Sequence, residues 1–278
     1  MAYTESEARK LVLEAGLELV RKGLIARTWG NISARFSESE CIITPSGRSY
    51  DSLTPEELVK LNINDLSYPG TIKPSSEKGI HADAYLLRRD AAFVIHTHQF
   101  YASALSAEGK DLPFAPCAGY GLPGTGKLRK AVSASLAENP GSKAFLMEKH
   151  GALLLGESPE EAFALAEELE ERSEKEFRSR VGDLGTETAV EAYGKAHTGV
   201  YAYLDDFAQM IGFHAPLEGG KVLFPESDDP EASELIARKN CAAALYCRSG
   251  KRLSRVDALL QRFVYLKKYS KQKYHAEA

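Results

Sequence analysis

Apolar positions in the first 23 residues recur with helical spacing. Leu11, Leu13, Ala15, Leu17, Leu19 and Val20 follow the capping box Thr4-Glu5-Ser6-Glu7 and precede Gly23, so an amphipathic helix is predicted there. The period then changes to two. Residues 28–36 alternate as a strand, and Cys41-Ile42-Ile43 is a second strand across the polar turn at 37–40. Thr44-Pro45-Ser46-Gly47 reads as a turn, and Thr54-Pro55-Glu56-Glu57 reads as the start of another helix, with proline at its first position. A helix capped by Ser76 is predicted to run to about Arg89, followed by the apolar run Ala91 to Ile95 as a strand ending in His96-Thr97-His98.

Beyond this strand the pattern predicts a helix through Tyr101, Ala104 and Leu105, a Gly/Pro-rich loop over 117–126, and a helix over 128–137. Residues 145–155 form another apolar strand-like run, broken by His150, before a long helix from Ser158-Pro159 to about Arg180. The remaining stretch predicts a helix at 201–207, a strand at 221–224, a helix opened by Asp229-Pro230 and a last amphipathic helix over 256–269. Strands and helices mixed without strict βαβ alternation imply a layered α/β or α+β domain.

Composition narrows the class. The chain has 278 residues, 44% of them hydrophobic, enough for a substantial core. A net charge of −4 with interspersed signs advertises neither a nucleic-acid nor a polybasic membrane surface, so a small-molecule partner is expected. No apolar stretch approaches the roughly 20 residues that span a bilayer, and no signal-like start is present; a cytoplasmic protein is expected. Cys41, Cys117, Cys241 and Cys247 are scattered, which favours reduced packing thiols over a disulfide frame.

The candidate chemistry centres on histidine. His96 and His98 at i and i+2 share one face of a strand and can reach one ion, and His150 is the candidate third ligand. Taken alone, a His-x-His strand is equally well a partly exposed pair. Ser75, Ser76 and Glu77 bring two hydroxyls and a carboxylate to a helix N-terminus, where anions are favoured.

The ordered motifs Gly30-Asn31-Ile32-Ser33, Ile43-Thr44-Pro45-Ser46-Gly47, Pro74-Ser75-Ser76-Glu77, His96-Thr97-His98 and Lys149-His150-Gly151 closely resemble the class II aldolase/adducin family, over roughly residues 11–180. The resemblance implies an α/β fold, α/β/α layered with a mainly antiparallel central sheet. It implies a homotetramer with active sites at subunit interfaces. It also implies one divalent metal per chain, zinc foremost with manganese or cobalt as alternatives, held by His96, His98 and His150. By position, Thr28, Asn31, Ser46, Gly47, Ser75 and Ser76 would bind a substrate phosphate, and Glu77 would be the acid/base.

The implied reaction is reversible cleavage of a ketose 1-phosphate to dihydroxyacetone phosphate and a short aldehyde, through a metal-stabilised enediolate. Related epimerases typically carry Asp where this chain has Glu77, which favours aldol cleavage. Epimerases, dehydratases and decarboxylases on phosphorylated sugars are the alternatives, and an adducin-like interaction module is a third. Two aromatic residues of the aldolases are not matched at Cys117 and Pro123, and Tyr120 is the candidate proton donor in their place. His81 is assigned to packing or support. Residues 1–180 are expected to form the catalytic domain, with 181–278 packed on it as an extension in which 221–233 is a degenerate echo of the hairpin and helix near His150.

Overall fold

The computed structural model describes residues 3–25, 29–184, 187–224 and 229–268. Contacts divide the chain into two compact units. One holds the chain up to Gln99 with Asp111–Met147 and Gly151–Leu169, and the other holds Phe100–Lys110, Glu148–His150 and the chain from Glu170 onward.

The first unit is built on one sheet. Its elements in chain order are α1 (Glu5–Arg21), β1 (Asn31–Arg35), β2 (Glu40–Ile43), β3 (Val59–Asn62), α2 (Lys78–Leu87) and β4 (Phe93–Thr97). After α3 (Phe100–Ser106) of the second unit come β5 (Cys117–Ala118), α4 (Gly126–Glu138), β6 (Ala144–Met147), β7 (Gly151–Gly156) and α5 (Pro159–Val181). The strand order is β3-β2-β1-β4-β7-β6-β5, antiparallel throughout except for the parallel β5–β6 edge. Strand alternation sends Cys41, Val94, Phe145 and Leu153 into one core with Ile80 and Tyr85 of α2 and Leu128 and Val132 of α4. The intervening residues, such as Ile32 and Ile42, are buried on the opposite face, where α1 packs on β1 and β2. Lys22, at the end of α1, pairs with Glu167 of α5 on that side. The result is the α/β/α layering, with the mainly antiparallel sheet expected above.

Three local expectations in this part of the chain are corrected. The helix expected from Thr54 is one 3₁₀ turn, Pro55–Glu57, with its capping box intact. The chain then enters β3, because Val59 and Leu61 alternate inward and pair beside β2. The N-cap of α2 is Glu77 rather than Ser76, and the Ser75 hydroxyl accepts the Glu77 N–H at 3.2 Å. Residues 145–155 form two strands of a hairpin, with His150 in its turn.

The second unit continues with α6 (Ala189–Gly194), β8 (Gly199–Tyr201), α7 (Asp205–Met210), β9 (His214–Glu218), β10 (Lys221–Val222), α8 (Pro230–Tyr246) and α9 (Arg255–Lys268). The helix expected over 201–207 is therefore the end of a strand followed by the start of α7. Strands β8 to β10 make a small antiparallel sheet, α3 and α6 pack on α8, and α7 packs on α9. Cys41, Cys241 and Cys247 are buried free thiols and Cys117 is a half-buried one. Among the described residues no helix is long and apolar enough to cross a membrane.

Candidate metal centre and acid/base site

Backbone geometry brings the three histidines together. His96 lies in the centre of the sheet, with Asn31 opposite it on β1 and Leu153 opposite it on β7. Both neighbouring strands approach through glycine. A Cβ on Gly30 (φ 93°) would sit 2.7 Å from the His96 carbonyl oxygen, and one on Gly151 would sit 2.2 Å from that of Thr97. His150, in the turn between the paired residues Met147 and Gly151, completes a buried trio in which one ring nitrogen from each histidine lies within 4.8 Å of the other two.

The tautomers suit a metal. His96 donates its Nδ1–H to the Ala152 carbonyl at 2.8 Å, and His150 donates its Nδ1–H to Asp205 Oδ2 at 3.2 Å. Each ring is thereby left with an Nε2 lone pair. The Nε2 atoms of His96 and His98 are 3.0 Å apart, close to the separation of about 3.3 Å between two nitrogens on one tetrahedral zinc. Three buried imidazoles, two of them with Nδ1 already engaged, match the donor set of a divalent transition metal.

Glu77 belongs to the same constellation. Its Oε2 is 3.3 Å from His96 Nε2 and accepts a hydrogen bond from Asn31 Nδ2 at 2.9 Å. Behind it runs a buried polar chain: Asn31 Oδ1 meets His81 Nε2, Ser33 Oγ lies 2.7 Å from both His81 Nδ1 and the Tyr85 hydroxyl, and Tyr85 donates to the Ser33 carbonyl. With Nε2–H given to Asn31, His81 Nδ1 accepts from Ser33 and the ring is neutral. Burial, reinforced by His96 and opposed by Glu77, pushes its pKa down to about 3.

This carries a stability signature. A histidine neutral when folded and titrating near 6.5 when unfolded contributes fully above pH 6.5, and that contribution is lost as the pH falls toward 3. Between pH 7 and pH 5, His81 should account for about 2 kcal/mol of lost stability. Denaturant unfolding of metal-free wild type and His81→Gln at both pH values checks this, since the variant should lose that much less. Equal losses would mean that His81 is not held neutral.

The loops expected to bind phosphate are zipped together. Ser46 N–H donates to the Lys73 carbonyl at 2.9 Å and Ser75 N–H donates to that of Thr44 at 3.0 Å, which sets Ser46 and Gly47 beside Ser75 and Ser76. Ser76 is exposed and Ser75 is buried. Asn31, expected at the phosphate, has its amide turned to Glu77 and His81. Thr28 lies outside the described residues. Tyr120 is half-buried in the loop after β5, with the Lys127 amine 5.7 Å from its ring centroid. Sequence reading missed Asp205 and the Ala152 carbonyl, the partners that orient His150 and His96. An aspartate more than 50 residues from its histidine, or a main-chain oxygen, leaves no local pattern to find.

The comparisons give the family. Residues 10–176 match the family model described as the class II aldolase and adducin N-terminal domain, which is more than half of the chain. The chain is similar to L-fuculose phosphate aldolase of Escherichia coli K12, 33% identical over 171 residues covering 57% of this chain and 77% of that protein. It is also similar to 5-deoxy-D-ribulose 1-phosphate aldolase of Bacillus thuringiensis serovar kurstaki, 33% identical over 174 residues covering 58% and 80% respectively. Among solved structures, YgbL of Klebsiella pneumoniae, described as a candidate aldolase/epimerase/decarboxylase, superposes with a TM-score of 0.58 at 28% identity, covering 66% of this chain and 93% of that one. With its matched domain, its layered sheet and its converging histidines, this chain belongs to the class II aldolase and adducin family.

Proposed function

We propose that this protein is a divalent-metal-dependent aldolase that reversibly cleaves a ketose 1-phosphate to dihydroxyacetone phosphate and a short aldehyde. The observation that carries the reading is the position of Glu77, a buried carboxylate 3.3 Å from His96 Nε2 and directly after the paired hydroxyls Ser75 and Ser76. His96, His98 and His150 would hold the ion, zinc foremost, with manganese or cobalt as alternatives. Bound there, a divalent cation supplies a Lewis acid for the negative charge that develops on the triose half.

The chain's own residues account for positioning and proton transfer. Glu77 accepts the proton of the C4 hydroxyl while the electron pair of the C3–C4 bond passes to the triose half and the aldehyde leaves, and return of that proton to C3 completes dihydroxyacetone phosphate. Asn31 aims the carboxylate, and His81 and Ser33 hold Asn31. Ser46, Gly47, Ser75 and Ser76, with Thr28 and the remaining Nδ2 hydrogen of Asn31, are our candidates for the phosphate end, and Tyr120 is our candidate for the aldehyde end. Hydroxyls and backbone amides beside a helix N-terminus suit a phosphate monoester. We place the site at a subunit interface of a homotetramer, with residues 1–180 as the catalytic part and 181–278 as an extension of it.

A second reading is epimerisation, dehydration or decarboxylation of a related phosphorylated sugar, since the description of YgbL spans such reactions. An adducin-like binding role is disfavoured by three buried, oriented imidazoles. The test is product analysis with metal-loaded protein on a panel of ketose 1-phosphates. Stoichiometric triose phosphate and aldehyde are expected. A product that keeps all its carbons in one chain, or that loses carbon dioxide, would move the assignment to the second reading.

A further inference from the structure

The turn that carries His150 adopts a conformation that L residues rarely take. Lys149, just before it, has φ of 63°. Its carbonyl accepts the Asp205 N–H at 2.9 Å, and its amine donates to the carbonyls of Ala107 at 2.8 Å and Lys251 at 2.7 Å. Asp205, the first residue of α7, is fully buried. One of its oxygens meets His150 Nδ1 at 3.2 Å, and the other accepts from Gln261 of α9 at 2.5 Å. The chain leading into Asp205 is pinned in turn by buried Asn240, which accepts from the Tyr203 and Leu204 amides and donates to the Tyr201 carbonyl. Asp205, Asn240 and Gln261 all lie beyond residue 176, where the family match ends.

We propose that Asp205, held by Gln261, is the positioning residue that sets how tightly the His150 imidazole takes a divalent metal. The region beyond the family match thereby tunes the metal site. The inference rests on the reading of the three histidines as a metal centre. A carboxylate on the Nδ1–H fixes the tautomer, aims Nε2 and raises its basicity.

The test is zinc affinity of the full chain, measured by competition with a chromophoric chelator, for wild type, Asp205→Asn and Gln261→Met. Asp205→Asn should weaken zinc binding by about tenfold to a hundredfold, and Gln261→Met, which keeps the carboxylate but frees its outer oxygen, should weaken it by a smaller factor. Circular dichroism establishes that each variant is folded. A folded Asp205→Asn protein with wild-type affinity overturns the proposal. If that variant does not fold, Gln261→Met decides, and wild-type affinity there overturns it. A wild-type chain with no zinc affinity overturns this proposal together with the metal reading, so the two failures are told apart.

Discussion

Glu77→Gln should leave the metal in place and lower turnover by about two to four orders of magnitude, the usual worth of a positioned acid/base. The substitution suits the site because the glutamine carbonyl can still accept the Asn31 amide hydrogen that now reaches Oε2 at 2.9 Å. Shape and neighbours persist while the proton acceptor is removed. Elemental analysis should read the same metal content in both proteins, and steady-state kinetics should place the loss in kcat rather than in KM. Unaltered turnover would remove Glu77 from the mechanism. Loss of metal together with activity would make Glu77 a ligand first and a base second.

His96→Ala should abolish metal uptake and, with it, all measurable turnover. His96 is the most constrained of the three candidate ligands: it sits mid-sheet, its Nδ1 is fixed by the Ala152 carbonyl, and its Nε2 faces both His98 and Glu77. Two histidines without it leave an incomplete donor set that loses several orders of magnitude in affinity. Truncation also strips the Ala152 carbonyl of its donor, a cost of about 1–3 kcal/mol, so the variant should be compared with wild type in the metal-free state. Metal measured in wild type at one per chain should be absent from the variant after dialysis. Retention at wild-type stoichiometry would exclude His96 from the ligand set and would require a different arrangement of donors.

Much of the fold was legible because it rests on local periodicity. The Thr4 capping box, the strands on either side of residues 37–40 and the long helix after Ser158 all fall where pattern placed them. Each misread segment has its own cause. At Thr54 the N-terminal signals of a helix were present, yet inward alternation of Val59 and Leu61 and a strand partner in β2 stopped it after one turn. At 145–155 the strand-like run broken by His150 is two antiparallel strands, because the polar residues 148–150 reverse the chain with Lys149 at positive φ. The 201–207 segment was read as one element because aromatic residues serve a strand edge as well as a helix face.

For the candidate site, the residue types proposed as ligands and their order along the chain are legible in the sequence alone. His96 and His98 share a face because strands alternate, and Glu77 follows two serines by covalent neighbourhood. What only the tertiary structure decided is orientation. The tautomers of His96 and His150 come from a main-chain carbonyl on β7 and from a carboxylate 55 residues away. Asn31 faces Glu77 because β1 pairs in register with β4, and Gly30 and Gly151 are explained by how closely their strands approach that same strand. The physical reason is range. Hydrophobic period, capping and covalent spacing act over a few residues and can be read in order, whereas the hydrogen bonds that aim a lone pair join residues whose proximity exists only after the sheet has closed.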